Sequence, residues 1–376
     1  MVLIVAEELR RAPIIDPWGS VLVEDYIRVM DKFGLEPFTD ELLKALPRPN
    51  KLMRRKIVFC HRDLWAIVKA IREKQPFYVL TGIMPSAPKI HLGTRMVIEN
   101  FKYFQDVGAS EAYLLVADLE AVATRGLTLQ EARRRALEFH IPAYLALGVD
   151  PERTKFYFQS ENRTVLKLMA RFSGRVTMAE MMAIYGDLTP GKVVAALLDA
   201  ADILHPQLKA RMPGVIPVGI DQDPHIRLAR DLVKRTKREF GFTPPASIYH
   251  KFTPSLDGSL KMSKSVPESC IEIPEEPKSV ERKIWKALTG GRGSLAEQRA
   301  LGGQPEKCVV FELFKQHLIE DDRELDRIYE ECRSGARICG ECKTYATELM
   351  VQLMEEFAAK MDEARSLVRE LEFLQE

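Results

Sequence analysis

Two lysines three positions apart, Lys261 and Lys264, stand in Asp257-Gly258-Ser259-Leu260-Lys261-Met262-Ser263-Lys264-Ser265, with hydroxyls around them and a glycine before them. An ammonium is a compact charge on a flexible stem, so such a set can close over a polyphosphate and follow its charge as it moves. Alone, the stretch reads equally as solvated basic surface. A second stretch, Pro85-Ser86-Ala87-Pro88-Lys89-Ile90-His91-Leu92-Gly93, complements it. It follows an apolar run and Thr81-Gly82, and so falls at a strand-to-helix junction, where the first backbone N–H groups of a helix lack partners and attract phosphate. His91 can donate to a phosphate oxygen as negative charge grows, and Gly93 lets a nucleotide approach the backbone.

The elements that must position these stretches are short apolar runs separated by longer helical periods. Residues 77–80, 113–116, 155–158 and 214–219 read as strands. Helices are predicted after Gly93, with Val97, Phe101 and Phe104 as a buried stripe, and over 127–147. Strands alternating with helices make a parallel sheet covered on both faces, with ligands beyond the carboxyl ends of the strands. The fold class is therefore α/β, a Rossmann-like catalytic domain over 75–278. Prolines and acids over 267–277 mark a linker, and helical spacing fills 279–376, an all-α domain whose last helix carries Met350, Leu353, Phe357, Met361, Ala364 and Leu371. Residues 1–74 form a mixed extension with a turn at Asp16-Pro17-Trp18 and a basic run, Lys51, Arg54, Arg55 and Lys56, which is either solvated surface or a nucleic-acid contact.

A chain of 376 residues with 46% hydrophobic and 29% charged residues is an ordinary globular protein, and a net charge of +1 excludes a histone-like polycation. No apolar run is long enough to span a bilayer and the amino terminus lacks the order of a signal peptide, so the expectation is a cytoplasmic protein without a membrane partner. Asparagine is scarce while Arg and Glu are plentiful, a bias of proteins from hot environments. Cys308, Cys332, Cys339 and Cys342 cluster late; four thiolates could hold zinc or an iron–sulfur cluster, and a disulfide or plain thiols are the alternatives. In Val218-Gly219-Ile220-Asp221-Gln222-Asp223-Pro224-His225, Asp223 suits an N-cap and Pro224 a first helical residue, which leaves Asp221 and Gln222 at the sheet's rim. Taken alone, Asp199 and Asp202 read as solvated helix surface.

Residues 85–93 resemble the "HIGH" signature of class I aminoacyl-tRNA synthetases, with Thr94 in place of the last histidine, and residues 261–265 match the second signature letter for letter. Residues 220–230, Asp16-Pro17-Trp18 and Thr289-Gly290-Gly291-Arg292-Gly293 resemble the tryptophanyl branch of archaeal and eukaryotic type. The resemblance implies ATP with Mg²⁺, L-tryptophan and tRNA(Trp) as partners, a homodimer, and a helical domain that reads the anticodon. It implies catalysis by His91, Lys261 and Lys264, with ATP held by Thr81, Gly82, Pro85, Ser86, His91, Gly93, Met262, Ser263, Lys264 and Ser265. It places the amino acid on Asp118, Glu120, Asp199 and Gln222, makes Asp199 and Asp202 pocket lining, and suggests for the late cysteines the four-iron four-sulfur cluster of some members. Leu80 stands where eukaryotic relatives usually have tyrosine, which shifts reading of the indole N–H to Asp118 or Asp199. The rivals are a tyrosyl-tRNA synthetase and a catalytically silent paralogue that binds RNA.

Overall fold

The computed structural model describes residues 26–259, 262 and 266–375. Asp16, Pro17, Trp18, Lys261, Ser263, Lys264 and Ser265 lie outside the described residues. The strands are β1 (Glu36–Pro37), β2 (Val58–Arg62), β3 (Tyr78–Ile83), β4 (Ile90–His91), β5 (Glu111–Val116), β6 (Thr154–Phe158), β7 (Gly214–Gly219), β8 (Ala246–His250) and β9 (Glu272–Ile273). Seven of them form one sheet in the order β1-β2-β8-β7-β3-β5-β6, and β4 pairs with β9 in a small second sheet.

From β8 to β6 the sheet is parallel, as continuous apolar strands such as Tyr113-Leu114-Leu115-Val116 demand when both faces are covered. All four strands read from the apolar runs are present. The strands of the extension are not separate, however. β2 is buried along most of its length and pairs antiparallel with β8, so the extension lengthens the catalytic sheet.

The first crossover helix, Leu92–Asp106, buries Met96, Ile98, Phe101 and Phe104, while Val97 is only half buried. The segment read as a helix over 127–147 is helical as Leu129–Arg135, a wide turn Ala136–His140, and Ile141–Ala146. Pro142 brings no backbone N–H, and the wide turn before it absorbs the missing ladder bond. The last helix, Cys339–Val368, buries Cys342, Ala346, Met350, Met354, Phe357, Met361, Ala364 and Val368, so Leu353 lies beside the stripe and Leu371 beyond the helix. One apolar core runs under the sheet from Leu42 in the extension through Phe101 to Met350, crossing both proposed domain boundaries. The opposite face packs Tyr78, Tyr113 and Tyr157 against the helix Pro190–Leu204. No single helix among the described residues is long and apolar enough to cross a membrane.

Three of the four cations of the extension's basic run, Lys51, Arg54 and Arg55, turn toward the C-terminal helices, and Lys56 stays exposed. Lys51 is buried, 2.8 Å from Glu320 and 3.6 Å from Glu99. Arg55 donates to Asp322 at 2.7 Å and to the carbonyls of Lys315 and Ile319 at 2.8 and 2.7 Å, and Arg54 reaches Asp322 at 2.7 Å. These cations satisfy carbonyls at the end of the turn Phe314–Leu318 and join the extension to the C-terminal helices. Lys56 pairs with Asp40 at 3.0 Å.

Candidate active site

A cleft of about 590 Å³ opens where β3, β5, β7 and β8 end, the place a parallel sheet provides for ligands. A cavity of about 690 Å³ lies elsewhere, between the start of the extension's basic run, the helix Leu92–Asp106 and the last helix. No strand ends there, and two of its three lysines are already matched, Lys51 with Glu99 and Glu320 and Lys102 with Asp106. The smaller cleft is the one with chemistry in it.

One end of the cleft gathers Thr81, Gly82, Ser86, His91, Gly93, Thr94 and Met262. His91 is the N-cap of the helix Leu92–Asp106, and its Nδ1 accepts the Gly93 N–H at 3.0 Å. A neutral ring that accepts at Nδ1 carries its proton at Nε2, so His91 presents a donor together with the helix start. A Cβ at position 93 would stand 2.8 Å from the His91 ring, so glycine here makes room for the imidazole that caps the helix. Of the residues read as ATP contacts, Pro85 is not in the lining. Nor is Lys89, whose ammonium lies 2.7 Å from Glu272.

That ion pair belongs to a latch. β4, which holds His91, pairs antiparallel with β9, which follows the lysine stretch in sequence. Met262 N–H donates to Thr253 O at 2.8 Å. Thr253 Oγ1 lies 2.9 Å from Nε2 of buried His317, whose carbonyl accepts from Arg95 at 2.7 Å. The C-terminal helices thus touch the bases of both stretches. Gly258 has a positive φ of 75°, and a Cβ there would stand 2.6 Å from Leu288, whose N–H donates to Leu256 O at 2.7 Å. The glycine before the lysines is thus a close contact with the C-terminal region.

The other end is apolar and acidic. Leu80, Leu115, Ile203 and Ile216 line it with Glu120, Asp199, Asp202, Asp221 and Gln222. Asp202 is fully buried; it accepts from Tyr157 Oη at 2.8 Å and Gln159 Nε2 at 2.6 Å. Burial pushes its carboxyl up to about 7, against those hydrogen bonds. Burial, with Glu120 and Asp202 nearby, holds Asp199 far above the usual carboxylate range. Asp199 Oδ2 lies 3.1 Å from His225 Nδ1, a distance that suits an ion pair. Yet burial lowers His225 to about 3, so the two meet as neutral acid and neutral imidazole. The buried carboxyls Glu120 and Asp202 and the half-buried Asp199, in a cleft whose described lining holds Arg125 as its one arginine, suit a ligand that brings its own cation.

Asp118 does not share in this. It is buried outside the lining, where its carboxylate accepts from the Leu119 and Ser160 N–H groups and the Ser160 hydroxyl, tying the end of β5 to the turn after β6. Asp223 is likewise not an N-cap. The helix Asp223–Arg235 begins with it, and its buried carboxylate accepts from Arg62 at 2.9 and 3.0 Å and from Tyr249 at 2.6 Å. It clamps Gln222's turn to β2 and β8. Asp202 is the residue that sequence reading left undecided, and its signal was present: an acid in a helix apolar on every side is buried, and a buried acid is held for a reason.

The four late cysteines come together near the Thr289-Gly290-Gly291 loop, where burial, then Cys342, Cys308 and Cys339, push the Cys332 thiol up to about 12. All four are free thiols, and among the described residues no group of three or more metal-ligating side chains is arranged to hold an ion. The zinc and four-iron options gain no support.

A parallel sheet with this crossover, a capped helix start at its rim and an acid-lined apolar recess suit a nucleotide-dependent synthetase, and a family profile described as tRNA synthetases class I (W and Y) matches residues 72–355. The chain belongs to that family. It is 44% identical over 364 residues to a protein of Hyperthermus butylicus named "Tryptophan--tRNA ligase", covering 95% of this chain and 97% of that one. A Methanocaldococcus jannaschii protein of the same name is 43% identical over 359 residues, covering 93% and 96%. The crystal structure of tryptophanyl-tRNA synthetase from Aeropyrum pernix K1 superposes with a TM-score of 0.88 at 43% identity, covering 96% of this chain and 99% of that chain.

Proposed function

We propose that this chain is a tryptophan–tRNA ligase. The observation that carries the amino-acid assignment is Asp202, a buried acceptor among Leu80, Leu115, Ile203 and Ile216. An indole N–H needs an acceptor and nothing more, whereas a phenol oxygen also has lone pairs that these walls leave unmatched. Glu120, Asp199 and Gln222 surround the place for the α-ammonium, and the relatives' names point the same way. The amino-acid carboxylate attacks the α-phosphorus of ATP, bound as its Mg²⁺ complex, and pyrophosphate leaves. The terminal ribose hydroxyl of tRNA(Trp) then attacks the carbonyl of the adenylate, and AMP leaves. His91 donates from Nε2 to a phosphate oxygen, the helix start supplies N–H groups, and Lys261 and Lys264 neutralise the phosphates. Met262, Ser263 and Ser265 flank them in sequence; Thr81, Gly82, Ser86 and Gly93 complete the nucleotide end. The reading carries with it a cytoplasmic homodimer whose helical region meets the anticodon.

ATP–pyrophosphate exchange tests it. Exchange driven by tryptophan and not tyrosine is expected. Exchange driven by tyrosine would assign the tyrosyl branch, and none with any amino acid would make the chain a silent paralogue.

A further inference from the structure

Lys51, Arg54 and Arg55 of the extension are spent on acids and carbonyls of the C-terminal region, so RNA would meet its cations on another surface. One is present on the opposite side of the sheet. The helix Arg163–Ser173 ends beside the turn that follows the helix Asp223–Arg235. Arg171 and Arg175 both reach Glu239, Arg235 donates to Arg175 O at 2.7 Å, and the Arg171 guanidinium lies 4.6 Å from the centroid of the Phe240 ring. On this joined surface Arg171, Arg175, Lys234, Arg235, Lys237 and Arg238 are exposed, against the acids Glu180, Asp231 and Glu239. Six cations to three acids make a local positive field in a chain whose net charge is +1. Two guanidiniums on one carboxylate leave charge over for a further anion.

The patch has a fixed relation to the cleft. The helix Asp223–Arg235 starts at Gln222, which lines the cleft, and its 13 residues span about 20 Å. A short unpaired 3′ end bridges that distance. We infer that this surface receives the phosphate backbone of the tRNA acceptor stem, with the 3′ end running beside that helix into the cleft. The inference rests on the ligase reading for its partner. Duplex RNA offers phosphates and shape rather than readable bases, and flexible Lys and Arg side chains match that demand.

The test is the double variant Lys237→Glu with Arg238→Glu, set against Lys69→Glu with Arg72→Glu on the helix Leu64–Arg72, which makes the same change of charge elsewhere. Binding of a tRNA(Trp) transcript is followed by fluorescence anisotropy over a series of KCl concentrations. The patch variant is expected to bind about tenfold or more weakly, with the slope of log affinity against log salt reduced by about 1.5. The control should stay within about twofold of wild type. Unchanged binding, or an equal loss in the control, overturns the inference. A change in sedimentation of the patch variant overturns it as well, because the surface then joins two copies of the chain. Tryptophan-dependent pyrophosphate exchange on the same preparations should stay within about twofold of wild type. If wild type itself shows no exchange the ligase reading fails, while the anisotropy still decides the patch.

Discussion

The substitution Asp202→Asn removes the anionic acceptor from the floor of the recess while keeping its shape. The carboxyl sits near 7 instead of near 4 because it is buried, so ionising it inside the fold costs about 4 kcal/mol. A raised carboxyl contributes stability that is fully present below its unfolded value and is lost as pH rises through about 7, so the empty protein is weakened at alkaline pH. A bound indole N–H stabilises the ionised form and offsets that loss. The asparagine variant would lose a charge-assisted bond and turn an N–H₂ toward the indole, Tyr157 or Gln159, about 3 kcal/mol together. At 1.36 kcal/mol per tenfold, kcat/KM for tryptophan in pyrophosphate exchange falls about 150-fold. Wild type should lose about fivefold in the same quantity from pH 7 to pH 6, as Asp202 takes up its proton, and the variant should be flat there. Benzothienylalanine, with sulfur in place of the N–H, separates recognition from packing. The preference for tryptophan over this analogue should collapse in the variant, since a disturbed fold would lower both alike. A variant that keeps that preference, or the wild-type pH profile, refutes the role of Asp202.

Lys264→Ala should raise the activation barrier by about 3 kcal/mol, near 150-fold in exchange rate, with tryptophan affinity almost unchanged; an exchange rate close to wild type removes the lysine from the chemistry. Gly93→Ala should separate stability from activity. Alanine favours a helix by about 1 kcal/mol, so chemical denaturation should show no loss, while the displaced His91 ring lowers the exchange rate tenfold or more. Arg55→Ala, far from the cleft, strips the carbonyls of Lys315 and Ile319 of their donors and leaves Asp322 with Arg54. A loss of about 3 kcal/mol in urea unfolding is expected, and less than about 1 kcal/mol would mean that solvent replaces those bonds.

Local patterns in the sequence carried much of this architecture. Apolar runs such as 113–116 mark buried parallel strands wherever they fall, because only a sheet covered on both faces accommodates them. The capped helix start at His91 and the Pro224 helix depend on residues within one turn of each other. The two signatures and the family follow from motifs of that kind. What tertiary structure decided was the partner of each charged group, since those partners lie far away along the chain. Asp118 and Asp202 are both acids beside apolar residues; one is spent on Ser160 and the other faces the recess. Lys51 and Arg55 look like a basic surface until Glu320 and Asp322 arrive more than 260 positions later. A charge must find its partner wherever folding brings one, and only the assembled sheet with its C-terminal helices determines that Lys51 and Arg55 are paired inside while the cations along 171–175 and 234–238 face solvent.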